Sequence, residues 1–317
     1  MGDWALALLI GYVLDGLIGD PEWFPHPVRF IGKFISYAEK RLRARGGNLR
    51  VSAVFLTAST VLLTMAVTGA FLYVLSRFGR WPLLVGMAFV DWTGLSARNL
   101  ADEAIGVRRA LAEGIEAGRA RVARIVGRDT AALSAREVVC AAVETVAENT
   151  TDGVISPMLF ALLGGPVALM GFKAASTLDS MVGYLDPKYK DIGWSSARLD
   201  DVLNYIPARV CAMLLCLAAF LTGQDGKNAF RIVRRDHRNH KSPNCAWSEA
   251  AAAGALHIRL GGTHLYFGKP VEKPAIGDDR RPPEGRDIDR TVAMMFVAEA
   301  LFLVVPALLT WAFRALG

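Results

Sequence analysis

Charge-free hydrophobic runs alternate with polar stretches along the whole chain, and the length of each run decides what it predicts. Residues 51–75, VSAVFLTASTVLLTMAVTGAFLYVL, carry no charge and exceed the ~20 residues a helix needs to cross a bilayer. Residues 291–313, TVAMMFVAEALFLVVPALLTWAF, are of similar length with Glu299 as their only charge, and predict a second span. Shorter runs at 4–19 and 81–97, holding Asp15 and Asp91, are read as further spans. Segment 4–19 has no basic n-region and no small-residue cleavage site, which predicts a retained first helix rather than a signal peptide. Residues 154–172, interrupted by Gly164-Gly165-Pro166, and 206–222, with Arg209, are short, broken or charged. They fit re-entrant helices or helices buried in protein.

Polar regions at 96–153, 173–205 and 223–290 separate these runs. The first has helical spacing, and Ser134 and Glu137 stand in capping-box register. The third contains GGTHLYFGKPVEKPAIGDDRRPPEG, whose Gly and Pro content predicts an ordered loop or a cover. Strand-like alternation is almost absent. The expected architecture is all-α: a polytopic integral membrane protein, one membrane-embedded domain over 1–317, with polar helical segments and loops forming a site at the cytoplasmic face.

Composition sharpens this picture. Hydrophobic residues make up 53% of the chain and the net charge is +6, with a pI near 9.2. The basic residues crowd beside the spans instead of interleaving with aromatics, so nucleic acid is not an expected partner. Lys33, Lys40, Arg41, Arg43, Arg45 and Arg50 precede the strongest span, which places that loop in the cytoplasm by the positive-inside rule. Cys140, Cys211, Cys216 and Cys245 are scattered without a CxxC pair, so neither zinc nor a redox centre is indicated.

Three constellations carry candidate chemistry. In VETVAENTTDG, Glu144, Glu148 and Asp152 are spaced i, i+4 and i+8, one helix face of carboxylates. That spacing suits a solvated acidic face or a Mg²⁺ site completed by substrate phosphates. The stretch 173–209 holds Lys173, Asp179, Asp186, Arg198, Asp200, Asp201, Asn204 and Arg209. Asp200 and Asn204 share a face, and the arginines suit either helix pairing or bidentate phosphate binding. In RRDHRNHKSPNCAWSEA, Arg235, His237, His240 and Lys241 precede a turn at Ser242-Pro243-Asn244. Membrane-surface attraction and phosphate binding both fit this stretch. No phosphate loop, dinucleotide fingerprint or kinase motif is present.

The blocks VLDGLIGDPEWFPHPVRFIGK, IVGRDTAAL, AAVETVAENTTDGVISP, KAASTLDSMVGY, SARLDDVLNYIPAR, NHKSPNCAWSEA and YFGK, in this order over nearly the whole chain, resemble the adenosylcobinamide-phosphate synthases (CobD/CbiB) of cobalamin biosynthesis. A Pro-Asn-like pair would be expected near Thr263-His264, and 279–287 looks like an insertion. The resemblance implies an inner-membrane, multi-pass ligase that uses ATP and Mg²⁺. It would join adenosylcobyric acid to (R)-1-amino-2-propanol O-phosphate, or to ethanolamine phosphate, through an acyl phosphate. On that footing Glu144, Glu148, Asp152, Asp179, Asp200 and Asp201 are metal candidates. His26, Arg29, Lys173, Arg198, Asn204, Arg209, Arg235, His240, Lys241 and Asn244 are candidates for the substrates and their phosphates. Glu148 or Asp201 would take the proton of the incoming amine. Membrane lipid, a second copy of the chain or other late B12-pathway membrane enzymes are the expected partners. The rival readings are a non-catalytic membrane sensor, which would not need ENTTDG, LDSMVGY and SPNCAWSEA together, and a corrinoid or organophosphate transporter, which broken helices with buried charge would suit.

Overall fold

The computed structural model describes residues 3–316 apart from 22, 185 and 267, and for 305–316 the backbone alone. In chain order the elements are α1 (Asp3–Ile18), α2 (Pro27–Arg45), α3 (Leu49–Ser76), α4 (Arg80–Gly94), α5 (Ala97–Glu113), α6 (Ile115–Val122), α7 (Ala135–Thr150), α8 (Ser156–Val182), α9 (Trp194–Leu203), α10 (Tyr205–Leu221), α11 (Gly226–Asp236), α12 (Cys245–Leu256), β1 (Arg259–Tyr266), β2 (Lys269–Gly277) and α13 (Gly285–Leu316). A π-helical turn, Thr151–Ile155, joins α7 to α8. The chain forms two compact units, Met1–Arg98 with Asp152–Asn204, and Asn99–Thr151 with Tyr205–Gly317.

Among the described residues, Leu49–Ser76 and Ala135–Val182 are helices long and apolar enough to cross a membrane. A third joins them if Trp194–Leu203 and Tyr205–Leu221 form one broken span. α3 matches the predicted run 51–75 and leaves Val54, Phe55, Leu62, Leu63 and Val67 exposed, as a lipid-facing surface requires. α1 and α4, over the predicted runs 4–19 and 81–97, have only 16 and 15 residues. At ~1.5 Å per residue each falls short of a perpendicular crossing of the ~30 Å hydrocarbon layer. The last part of the predicted run 291–313 lies, for its side chains, outside the described residues.

In the first unit α1 packs on α4, and α2, α3 and α8 pack on one another. The Gly-Gly-Pro break falls inside α8, where Gly164 (φ −140°, ψ 17°) and Gly165 (φ 68°, ψ −169°) leave helical geometry. Gly165 is required twice. Its positive φ disfavours any side chain, and a Cβ there would lie 3.1 Å from the Trp4 ring.

In the second unit α12 is buried between α10 and α11, and α13 lies on α7 and α10. The small residues of α12 allow close approach: a Cβ on Gly254 would come within 2.8 Å of the Ala229 Cα. Among the described residues, the all-α expectation fails at one place. The predicted loop or cover forms an antiparallel hairpin of β1 and β2, packed on α7, α11 and α12. Pro270 and Pro274 hid it, because proline argues against an interior strand. In a two-stranded ribbon both strands are edges, and proline is tolerated there.

Candidate functional site

The second unit contains a largely buried group of opposite charges. The capping box predicted at the start of α7 forms, with Ser134 accepting from the Glu137 N–H and Glu137 accepting from the Ser134 N–H. This fixes where the helix begins and which residues face inward. Glu144 thereby lies against Arg128, their side chains each 4% exposed and in direct ion-paired contact. The other Glu144 oxygen accepts from the Gly261 N–H at 2.9 Å. One turn on, Glu148 accepts from the Cys245 thiol at 3.1 Å. Glu249, on the buried α12, keeps its Oε1 buried with no hydrogen-bond partner. Lys273, from β2, interacts electrostatically with Glu249, Glu144 and Glu148.

The electrostatics follow from burial and these neighbours. Burial, with Glu144 and Glu148 adding, pushes the Glu249 carboxyl well above the usual carboxylate range. Burial opposes the charge on Lys273, but Glu249 and then Glu144 outweigh it and hold its ammonium above the ordinary lysine value. Burial likewise opposes Arg128, and Glu144 reverses the balance. His240 is lowered by burial and then by Lys273, and His264 by burial and then by Arg128. Both imidazoles are therefore disposed to be neutral. His240 Nδ1 accepts from the Ser242 N–H at 3.0 Å, which leaves its proton on Nε2.

The first unit gathers other predicted residues. Lys173 interacts with Asp20, Asp15 and Asp152. Asp15 Oδ2 accepts from the Ala97 and Arg98 N–H groups, at 3.0 and 3.3 Å, and so caps the start of α5. His26 accepts from the Val28 N–H at 3.3 Å as the cap of α2, while its Nε2 lies 3.3 Å from Asp20. Asn204 donates to Asp200 at 3.0 Å and accepts from Ser156 at 2.6 Å, so the predicted Asp200/Asn204 face is a hydrogen-bonded pair.

Several predicted residues have ordinary structural partners. Arg198 is exposed and pairs with Asp201 at 3.9 Å, one turn along α9. Arg235 is held by Asp236 at 2.6 Å and by Asp278 at 2.6 Å. Arg209 lies over the rings of Tyr205 and Trp247, 3.4 and 4.7 Å from their centroids, with Asn244 at 3.5 Å. Arg29 and Lys241 are exposed on the surface, and Asp179 interacts with Tyr184 near the end of α8. Asp152 sits in the π-turn and interacts with Lys173.

Arg128, Glu249, Lys273 and His264 were missed as site residues. Glu249 had a usable signal, a lone acid inside the run AWSEAAAAGAL. Lys273 had none, because its direction depends on an unrecognised strand. Among the described residues no three His, Cys, Asp or Glu side chains already form a cage for an ion. The buried, unpartnered Oε1 of Glu249 beside Glu148 offers the oxygen donors that a hard cation takes, and Mg²⁺ commonly uses one or two carboxylates with substrate phosphates. Glu148 and Glu249 are the two carboxylates this group would offer such an ion.

Comparison with known proteins gives a consistent assignment. A family model described as CobD/Cbib protein matches residues 8–295. The chain is 48% identical over 311 residues to the cobalamin biosynthesis protein CobD of Geobacter metallireducens, covering 96% of each chain. It is 46% identical over 308 residues to the cobalamin biosynthesis protein CbiB of Salmonella typhi, covering 95% of each. With the Listeria monocytogenes CobD it shares 42% identity over 297 residues, 93% of this chain and 94% of that one. No solved structure matches. A match of this extent, through both units, shows that the chain belongs to the CobD/CbiB protein family.

Proposed function

We propose that this protein acts in cobalamin biosynthesis as an ATP-dependent amide-forming ligase. It would join adenosylcobyric acid to (R)-1-amino-2-propanol O-phosphate, or to ethanolamine phosphate, and release adenosylcobinamide phosphate. Family membership supports the pathway. The observation that carries the chemistry is the group of buried Glu144, Glu249 and Arg128 with half-buried Glu148 and Lys273.

A carboxylate is a poor electrophile, so its oxygen first takes the γ-phosphoryl group of ATP, leaving ADP and an acyl phosphate. Negative charge then spreads over the phosphoryl oxygens, and fixed cations in a dry site offset it most effectively. Arg128, buried against Glu144, and half-buried Lys273 bring positive charge to this group, and Glu148 and Glu249 would hold Mg²⁺. Mg²⁺ supplies further neutralisation of phosphate charge when bound. The amine attacks only as the free base, and Glu148 is the proposed acceptor of its proton. The new C–N bond forms as inorganic phosphate leaves. The site is placed, in this reading, on the cytoplasmic side of the inner membrane, where ATP is available.

The test uses detergent-purified, monodisperse protein with ATP, Mg²⁺, adenosylcobyric acid and aminopropanol phosphate, followed by mass spectrometry of the corrinoid. The expected product is the amide, formed only with ATP. No ATP-dependent amide from folded protein overturns the reading.

A further inference from the structure

The hairpin carries a built irregularity that decides where Lys273 points. Arg259 pairs with Gly277 and Leu260 with Ile276, but the next pair is Gly262 with Lys273. Pro274 and Ala275 therefore stand opposite Gly261 alone, a β-bulge on β2. Ile276 is buried and faces the helices. Lys273 is three residues away, and in a regular strand an odd separation would send it to the opposite, solvent face. The bulge restores it to the inner face, and its exposed neighbours Glu272 and Pro274 take the outer one. Opposite Lys273, Gly262 contributes no side chain, so the lysine has room to pass.

The bulge is itself anchored. Gly261 has φ +80°, and a Cβ there would come 2.4 Å from the Pro274 carbonyl oxygen. Its N–H is turned out of the ladder to Glu144, which Arg128 holds in turn. Both Glu144 oxygens are thereby engaged. At the other end of the group stands Glu249, 3% exposed, with its Oε1 buried and unpartnered. A side chain of this kind points to a ligand that completes it.

We propose that Lys273 is a substrate-contacting residue whose ammonium binds the phosphoryl oxygens of a phosphate-bearing substrate. Gly261 and Glu144 are the positioning residues that aim it. The proposal rests on the ligase reading above and assigns a residue to that site. The phosphoryl group has two possible sources, ATP and the amino-alcohol phosphate, and separate titrations distinguish them.

The experiment measures KM for each substrate, and direct binding of labelled ATP, for wild type, Lys273→Ala, Lys273→Arg and Gly261→Ala. Glu272→Ala, on the solvent face, is the control. One charge-assisted hydrogen bond corresponds to about a 10- to 100-fold effect. Lys273→Ala is expected to raise KM by that factor for one substrate while the other stays within about threefold, and Lys273→Arg should recover part of the loss. Gly261→Ala is expected to raise the same KM, and the double variant should fall short of the product of the two single effects. Folded Lys273→Ala protein with both KM values unchanged overturns the proposal, whatever happens to kcat. If that variant cannot be recovered folded, unchanged KM values in Gly261→Ala overturn it instead. Wild-type protein that forms no amide defeats the ligase reading; normal turnover with silent Lys273 and Gly261 variants defeats this inference alone.

Discussion

Breaking the Arg128–Glu144 pair should loosen the hairpin before it loosens anything else. Both side chains are only 4% exposed, so removing one leaves the other charge buried without its partner. Such changes cost about 3–5 kcal/mol, mostly as the penalty for the stranded charge. For Arg128→Ala the lower end applies, because Lys273 and the Gly261 N–H still face Glu144. A cost of about 3 kcal/mol is a little over two decades in an equilibrium constant, at about 1.36 kcal/mol per decade. The readout is amide hydrogen exchange across 259–277 in detergent-solubilised protein, since local opening is measurable where global unfolding is irreversible. Arg128→Ala should increase opening of the hairpin by about 100-fold and leave α3 unchanged. Replacing both partners, as Arg128→Met with Glu144→Leu, should recover much of the protection because no charge is stranded. Hairpin protection in Arg128→Ala within about threefold of wild type would refute the reasoning.

Three further outcomes are expected. Gly165→Ala places a side chain at φ 68°, ψ −169° against Trp4, and should cost about 1–3 kcal/mol, read as faster thermal inactivation; a stability equal to wild type would count against the break in α8. Asp287 is fully buried and bonded to Arg281 at 2.6 Å and Arg290 at 2.7 Å. Burial acts to raise its carboxyl, but Arg281, the Glu284 N–H and Arg290 outweigh it and hold it below the usual range. A depressed folded value means the stabilisation is complete above the unfolded value of about 3.9 and lost as pH falls through the folded one. Asp287→Asn should therefore be less stable at neutral pH and lose less on acidification below about pH 4, as followed by thermal scans; parallel pH profiles would sink the assignment. Ser180 is exposed, and Ser180→Cys should react with a membrane-impermeant thiol reagent from the cytoplasmic side; labelling from the periplasmic side alone would exclude a cytoplasmic location for the C-terminal end of α8.

Much of the framework was readable because it rests on local rules. The charge-free run at 51–75 becomes α3, the Ser134–Glu137 box starts α7, and the Gly-Gly-Pro break falls where glycine and proline placed it. Charge pairing was less readable, since opposite signs a few residues apart signal a site and a salt bridge equally. Arg198 with Asp201, and Arg235 with Asp236 and Asp278, turned out to have such partners. Arg128 was unreadable for another reason: its partner Glu144 is remote in sequence, and nothing beside it marks a buried cation.

The acidic face Glu144–Glu148–Asp152 shows how one backbone irregularity redistributes chemistry. Spacing of four residues keeps side chains on one face only while the helix turns every ~3.6 residues. The π-turn at Thr151–Ile155 widens that turn, and inside it Gly153 lets Ser96 approach: a Cβ there would meet the Ser96 Oγ at 2.6 Å. Asp152, inside that turn, interacts with Lys173. The two glutamates keep a different company, Arg128 for the first and the Cys245 thiol for the second. The β-bulge at Gly261 works in the opposite sense, restoring Lys273 to a face that strict alternation would deny it. Both departures from regular periodicity lie beside charged groups, and each changes which charges meet. That makes the irregular residues Gly153 and Gly261, rather than the carboxylates they sort, the sharper targets for mutagenesis: substituting them alters the arrangement of charge while leaving every charged side chain in the chain.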